Sequence, residues 1–168
     1  MSMINGKDAL EYSNSTKHGV KIYQNGQIVN NCMVMGSGGA TGVHPNSMLL
    51  DEDQLLLCCG NTIFCFTLPD LQLKWKTQAD QATCFSIFKL HNDFIVHGEM
   101  QVSALDKEGC IKWSFQGQDI FVTMDKQDPF KIEEDGILLT DFTGATYKID
   151  FAGNLIWSYH NKKHLERP

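Results

Sequence analysis

The chain has 168 residues and a mass of 18.9 kDa, enough for one domain around a single core. It carries 14 Lys and Arg against 20 Asp and Glu, a net charge of −6, which gives no electrostatic basis for binding nucleic acid or an anionic membrane and favours a basic partner. The 42% of hydrophobic residues fit a packed globule, and no apolar run approaches the length of a membrane span.

The first 17 residues contain neither a basic start nor an apolar stretch long enough for export. We therefore predict a cytoplasmic protein, with residues 1–17 forming an N-terminal tail or a short helix. In a reducing cytoplasm the six cysteines are expected to be free thiols, most of them buried as small hydrophobic residues. Residues 161–168 are polar and locally basic, and we predict a C-terminal tail there.

Residues 20–35 contain two β-rich runs on either side of Asn25-Gly26, and this dipeptide is the strongest short signal for a β-hairpin. A glycine-dense segment follows. It has no lysine followed by Ser or Thr after its last glycine, so it fails the pattern of a phosphate-binding loop. Because function concentrates on loops held by a rigid scaffold, we predict that this segment contacts a partner. Its candidate residues are Gly36, Ser37, Gly38, Thr41 and His44.

Tryptophans at 75, 113 and 157 mark an internal repeat with spacings of 38 and 44 residues. The sequences ending at Trp113 and Trp157 share the pattern apolar-Asp-x-x-Gly-x-x-x-Trp. The sequence ending at Trp75 is one residue shorter and lacks the glycine. We expect the glycine to allow the positive φ that closes a turn, and the tryptophan to lie on the strand that follows.

Each tryptophan is preceded by further apolar runs separated by turns rich in Asp, Glu and Asn. Four short strands repeated at roughly 40 to 50 residues are typical of a β-propeller blade. We therefore predict an all-β protein whose antiparallel four-stranded sheets stack as a small or incomplete β-propeller. The repeat units are about 47–78, 86–116 and 130–160, within a domain of residues 18–160 that also includes the N-terminal hairpin.

The repeat pattern resembles that of the PQQ-like (quinoprotein-type) β-propellers over about residues 47–160. The resemblance implies that Trp75, Trp113 and Trp157 each dock one blade on its neighbour. Such repeats serve enzymes, scaffolds and binding proteins, so they do not assign an activity. Small, solitary proteins with these repeats resemble the immunity proteins of bacterial polymorphic-toxin systems, which block a toxin by occlusion.

Members of that family close a ring of six to eight blades, whereas this chain has three recognisable units. The N-terminal hairpin is either a partial fourth blade or a cover for an exposed sheet edge. A four-unit ring, an open stack of three sheets and a ring completed by a second chain all remain open. An open stack would expose hydrophobic blade faces, so dimerisation or another partner is expected of it.

No pattern for catalysis or cofactor binding is present. Cys58-Cys59 lies in a strand-like run, where adjacent side chains point to opposite faces, so we expect thiols rather than a disulfide. The six histidines show no metal-ligand spacing, and no nucleophile motif occurs. We predict no enzymatic activity, no cofactor and no bound metal.

Two further segments are candidate interfaces. The acidic turn Asp51-Glu52-Asp53 would form part of an acidic rim suited to a cationic protein. Ile120, Phe121 and Met124 lie in a long connection between the second and third units, where they either form an exposed anchor or fill the space between sheets. Together these features predict a non-enzymatic scaffold that binds a basic protein, such as a toxin domain. The alternative is a module that binds a small molecule or carbohydrate.

Overall fold

The computed structural model describes residues 15–124 and 127–160. This part of the chain forms three four-stranded antiparallel sheets and one two-stranded hairpin, so the predicted all-β, propeller-like architecture with three blades and an N-terminal hairpin is confirmed. Within it, no helix is both long and apolar enough to cross a membrane.

The strands follow one another as simple meanders in chain order. The hairpin contains β1 (Ser15–Gln24) and β2 (Gln27–Ser37). Blade 1 contains β3 (Met48–Asp51), β4 (Gln54–Cys59), β5 (Thr62–Thr67) and β6 (Leu73–Gln78), preceded by a 3-10 turn at Pro45–Ser47. Blade 2 contains β7 (Cys84–Leu90), β8 (Asp93–Gly98), β9 (Val102–Leu105) and β10 (Ile111–Phe115). Blade 3 contains β11 (Phe130–Glu133), β12 (Gly136–Thr140), β13 (Thr146–Ile149) and β14 (Leu155–Tyr159).

The strands in the middle of blades 1 and 2 are largely buried on both faces. In β4 five of the six residues are buried, and all four residues of β9 are buried. This pattern arises because blade 1 packs between the hairpin and blade 2, and blade 2 packs between blades 1 and 3. Packing on both sides favours near-continuous Leu, Ile, Val and Cys rather than alternation. The outermost strands differ: β6 alternates, whereas all five residues of β14 are exposed.

Three apolar cores hold the sheets together. The core between blades 1 and 2 contains Leu56, Ile63, Ile87, Phe94 and Leu105 among others. The core between blades 2 and 3 is built around Ile95, Val102, Ile137, Tyr147 and Ile149. The hairpin packs on the other side of blade 1 through Val34, Leu55, Leu57, Phe64 and Phe66.

The N-terminal boundary differs from that expected from the sequence. Strand β1 begins at Ser15, inside the segment 1–17 predicted to be a tail or short helix. Its pairing with β2 continues from Ser15 opposite Ser37 to Gln24 opposite Gln27. Residues 1–14 of that segment and the predicted tail 161–168 lie outside the described residues.

Candidate interface

Trp75 docks blade 1 on blade 2. The indole Nε1 donates a hydrogen bond to the carbonyl of Lys107 at 3.1 Å, in the turn between the third and fourth strands of blade 2. Two residues later the Thr77 hydroxyl donates to the carbonyl of Gly109 at 2.5 Å in the same turn. At this one contact Trp75 therefore packs its apolar ring on the next blade and also provides a hydrogen-bond partner for its indole N–H.

Trp113 repeats this arrangement between blades 2 and 3. Its Nε1 donates to the carbonyl of Phe151 at 3.1 Å, and its ring lies over Gly153. A β-carbon built on Gly153 would lie 2.6 Å from Cδ2 of Trp113, and one built on Gly109 would lie 2.5 Å from Cδ2 of Trp75. Both glycines have φ of +82°. Glycine is required here by the backbone conformation and also by the indole ring above it.

Trp157 occupies the equivalent position on blade 3, but among the described residues no further blade follows it. Its side chain has no hydrogen-bond partner there, and 46% of the residue is exposed. Trp75 and Trp113 therefore each contact the turn of the next blade, whereas Trp157, on the last blade that the structure describes, lies on an open face.

The N-terminal hairpin has the same construction as the outer half of each blade. In all four, strand pairing skips one residue immediately before the docking position: Val29, Lys74, Lys112 and Ile156. Four residues before the docking position the backbone has positive φ: Gly26, Leu71, Gly109 and Gly153. These shared irregularities place Asn30 where the blades have Trp75, Trp113 and Trp157.

Asn30 also makes the contact expected of that position. Its Nδ2 donates to the carbonyl of Pro69 at 3.1 Å. Pro69 lies six residues before Trp75, as Lys107 lies six before Trp113 and Phe151 six before Trp157. The hairpin is therefore the third and fourth strands of a fourth blade. Among the residues that the structure describes, β1 pairs only with β2, whereas β5, β9 and β13 each pair on both sides.

The glycine-rich segment crosses blades 1 and 2 and is held along its length. Gly36 is buried against the backbone of Cys59, and the carbonyl of Ser37 accepts from the amide of Asn61. The Thr41 hydroxyl is buried within hydrogen-bond distance of the Gly60 and Cys84 carbonyls. His44 is exposed, with Nε2 3.1 Å from the carbonyl of Phe85.

Hydrogen bonds thus hold this segment against the blades, and it does not form a free loop. Gly38 has φ of +96° and lies where an added β-carbon would overlap the carbonyl of Ala82. The parts of the segment open to a partner are Ser37, Gly38 and the stretch 42–44.

The structure separates the three apolar residues of the long connection. Phe121 is fully buried and packs on Phe115 and Tyr147, between blades 2 and 3. Ile120 is half-buried, and its carbonyl accepts from the amides of Val122 and Phe142. Met124 is 86% exposed. The three side chains form no common exposed cluster, because Phe121 fills the space between the sheets.

Acidic residues concentrate at one end of the stack. In an antiparallel meander the first and third turns of each blade lie at the same end of the sheet. Contacts between blades align these ends: Lys89 pairs with Asp51 across blades 1 and 2, and His91 contacts Phe151 across blades 2 and 3. We call this end the turn face. It contains eleven of the chain's 20 acidic residues: Asp51, Glu52, Asp53, Asp70, Asp93, Asp106, Glu108, Glu133, Glu134, Asp135 and Asp150.

Ion pairs neutralise only part of this charge. Among the described residues, four of these acids pair with lysine: Asp51 with Lys89, Asp93 with Lys112, and both Glu133 and Asp135 with Lys148. The remaining seven have no lysine partner there. Of the predicted acidic turn, Asp51 is therefore buried and paired, whereas Glu52 and Asp53 are exposed.

Lys148 stands out because it is a buried charged residue, in the third strand of blade 3 between Tyr147 and Ile149. It pairs with Trp157 across the strands, as Cys65 pairs with Trp75 and Ala104 with Trp113. Its Nζ lies 2.6 Å from both Glu133 and Asp135. The hydrogen bonds from Lys148 lower the pKa of both carboxyls, and those to Asp135 and Glu133 raise the pKa of Lys148.

The buried titratable groups serve the fold. His97 lies between Phe85 and Phe130, with Nε2 3.1 Å from the carbonyl of Phe121, and burial lowers its pKa to about 4. Asp80 accepts from four backbone amides, those of Ala82, Thr83, Met100 and Gln101.

The remaining candidates for chemistry are also accounted for. Burial raises the pKa of the Cys58 thiol, so the thiolate is strongly disfavoured. Over residues 15–124 and 127–160, no group of three or more His, Cys, Asp or Glu side chains has the arrangement of a metal site.

Sequence reasoning missed Asn30 and Lys148. The repeat is recognised by its tryptophans, so a unit with asparagine at the equivalent position is not detected. Counting back from Asn30 to Gly26 would have matched the spacing from Trp113 to Gly109. Lys148 could have been noticed as a charge in the strand preceding the last Asp-x-x-Gly turn.

No family model matches the sequence, and no curated protein matches it. Solved structures do. BamB from Moraxella catarrhalis matches with a TM-score of 0.58 and 14% identity, over 84% of this chain and 43% of its own. The Pan2 WD40 domain of Neurospora crassa matches with a TM-score of 0.54 and 14% identity, over 70% of this chain and 39% of its own.

The computationally designed Ika8 protein matches with a TM-score of 0.55 and 13% identity, over 79% of this chain and 47% of its own. BamB is a PQQ-like β-propeller and the Pan2 domain a WD40 propeller, so the fold is that of a β-propeller. The chain spans less than half the length of each of these three structures.

Proposed function

We propose that this protein, whose described residues form three full blades and an N-terminal hairpin, is a non-enzymatic scaffold that holds a basic protein on its turn face. The observation that carries the proposal is the concentration of eleven of 20 acidic residues at this end of the stack. A surface of one charge sign steers an oppositely charged partner and discriminates against others.

The turn face has the rigidity that recognition requires. The Asp106 carboxylate accepts from the amides of Glu108 and Cys110, and Asp150 accepts from those of Ala152 and Asn154. The third turns of blades 2 and 3 are therefore each fixed by their own aspartate, and Trp75 and Trp113 pack on these two turns. A partner would meet a preorganised surface, which lowers the entropy cost of binding.

The finer form of the proposal is an immunity protein, in which the turn face occludes a basic toxin domain such as a nuclease. Its support is the resemblance of the repeats and the sign of the charge. Occlusion needs no catalytic group in the inhibitor, only a complementary surface of sufficient area.

The test is co-expression of the chain with the product of the adjacent gene, followed by the native mass of the purified material. We expect a stable one-to-one complex and protection of the host when that product is toxic. A matched pair of triple variants locates the surface. Asp53→Asn, Asp70→Asn and Glu108→Gln neutralise the turn face, whereas Glu99→Gln, Asp119→Asn and Asp128→Asn make the same charge change at the opposite end.

The turn-face triple should weaken the complex by at least about tenfold, and more at low salt, while the opposite triple leaves it near the parent value. Equal effects of the two triples would contradict the assignment of the surface. A neighbour that fails to bind, or that is acidic, would contradict the proposed partner class.

A further inference from the structure

One end of the described blade stack has a docking tryptophan with no turn to contact, and the other end has a docking turn with no tryptophan on it. At one end, blade 3 presents Trp157 with no turn beneath it among the described residues. The same strand exposes Ile156 and Tyr159, at 52% and 63%, and the strand register places Tyr159 on the same face as Trp157. An apolar strand face of this kind normally packs against another surface.

At the other end, the hairpin presents a turn that no indole covers. Gly26 has φ of +79°, close to the +82° of Gly109 and Gly153. A β-carbon built on Gly26 would meet nothing within 4 Å, whereas those on Gly109 and Gly153 would strike Trp75 and Trp113. The outward side of the hairpin also exposes Tyr23 and Met33, at 60% and 65%.

We propose that two copies of this chain associate head to tail, with Trp157 of each copy seated on the Gly26 turn of the other. In this contact the Trp157 Nε1 donates to the carbonyl of Gln24. That residue lies six positions before Asn30, as Lys107 lies six before Trp113 and Phe151 six before Trp157. Two such contacts close a ring. Each would repeat the contact that Trp75 and Trp113 already make between blades within one chain.

The charges of the two ends favour this pairing. The hairpin strands and their turn, residues 15–37, contain Lys17 and Lys21 and no acidic residue. Blade 3 contains five acidic residues against two lysines, Lys131 and Lys148. Opposite net charges raise the rate of encounter and favour head-to-tail over head-to-head approach.

A second copy brings both halves of the contact, the indole and the open turn. This inference does not depend on what binds the turn face.

The test is the native mass of the full chain by light scattering across a concentration series. We expect a species of twice 18.9 kDa. Trp157→Ala should abolish it, and Lys17→Glu with Lys21→Glu should weaken it about tenfold, in a salt-dependent manner. Met124→Ala removes an equally apolar side chain that is 86% exposed and serves as the matched control, with no change expected.

Mixing distinguishes this contact from one between identical surfaces. The Trp157→Ala copy keeps its open turn, and the charge-reversed copy keeps its tryptophan. A mixture of the two should form a one-to-one heterodimer through the single intact contact. A wild-type monomer at all concentrations, a dimer that survives Trp157→Ala, a mixture that stays monomeric, or larger open assemblies would each overturn the proposal. Melting curves of every variant show whether it is folded.

Discussion

The indole of Trp113 lies directly over the α-carbon of Gly153, close enough that a β-carbon there would approach Cδ2 to 2.6 Å. The two residues are 40 positions apart and belong to neighbouring blades. Their contact joins the sheets at the outer edge, where the apolar core ends.

Gly153→Ala should destabilise the fold more than the same change at Gly144. Both glycines have positive φ, +82° and +81°, but an added β-carbon at Gly144 meets nothing within 4 Å. Backbone strain alone should cost about 1 kcal/mol at Gly144, and overlap with Trp113 should add roughly 1–3 kcal/mol at Gly153. Urea unfolding measures both, and equal losses would show that the indole does not constrain the turn.

Removing the indole should have unequal effects along the stack. Trp113→Ala deletes a half-buried ring and its hydrogen bond to Phe151, so we expect a loss of about 3 kcal/mol in unfolding free energy. Trp157→Ala, measured at concentrations too low for association, should cost less than about 1 kcal/mol because the residue is 46% exposed. A large loss for Trp157→Ala in the monomer would contradict its open position.

Stability should fall as the pH is lowered from about 6.5 to about 4. Burial lowers the pKa of His97 from 6.5 to about 4, so in this window the unfolded state binds a proton that the folded state does not. The loss should reach up to about 3 kcal/mol at the acid end. His97→Gln, which can still donate to the Phe121 carbonyl, should flatten the profile.

The control for that measurement is His18→Gln, since burial also lowers the pKa of His18. It should remove only a small part of the pH dependence. If His97→Gln leaves the slope unchanged between these pH values, the buried imidazole is not its source.

On blade 3, Lys148 pairs with Glu133 and Asp135, and Lys131 pairs with Glu133 alone. Replacing each lysine in turn measures its separate effect on the pKa values of the two carboxyls. Lys148→Met should raise the pKa of both Glu133 and Asp135 towards ordinary values. Lys131→Met is the matched control: it should raise the pKa of Glu133 and leave that of Asp135 nearly unchanged, because Lys131 pairs only with Glu133. Carboxyl titration by NMR reads both groups. An unaltered Asp135 in the Lys148→Met chain would contradict the geometry.

Removal of Lys148 also changes how the free energy of unfolding depends on pH at the acid end. A carboxyl whose folded pKa lies below its unfolded value stabilises the fold above the unfolded pKa and loses that contribution as the pH falls through the folded pKa. Glu133 and Asp135 are in this class, so Lys148→Met should reduce the loss of stability below about pH 4.5. This range lies below most of the His97 window.

The sequence by itself determined the blades. Strand positions followed from apolar runs and their turns, and the fourth strands from Trp75, Trp113 and Trp157, because local turn chemistry and side-chain alternation are properties of neighbouring residues. The prediction of three sheets and a hairpin needed no long-range information. The same local patterns indicated the acidic turn at Asp51-Glu52-Asp53 but not which of its carboxyls is free.

Only the tertiary structure decided how the ends of the stack differ. Asn30 is identified as a docking residue by the carbonyl of Pro69, 39 positions away, and Trp157 is left open because no blade follows it among the described residues. Asp51 is neutralised by Lys89 from the next blade, and Phe121 is buried by two blades together. These outcomes depend on which surfaces meet in space, which the order of residues within one repeat does not specify.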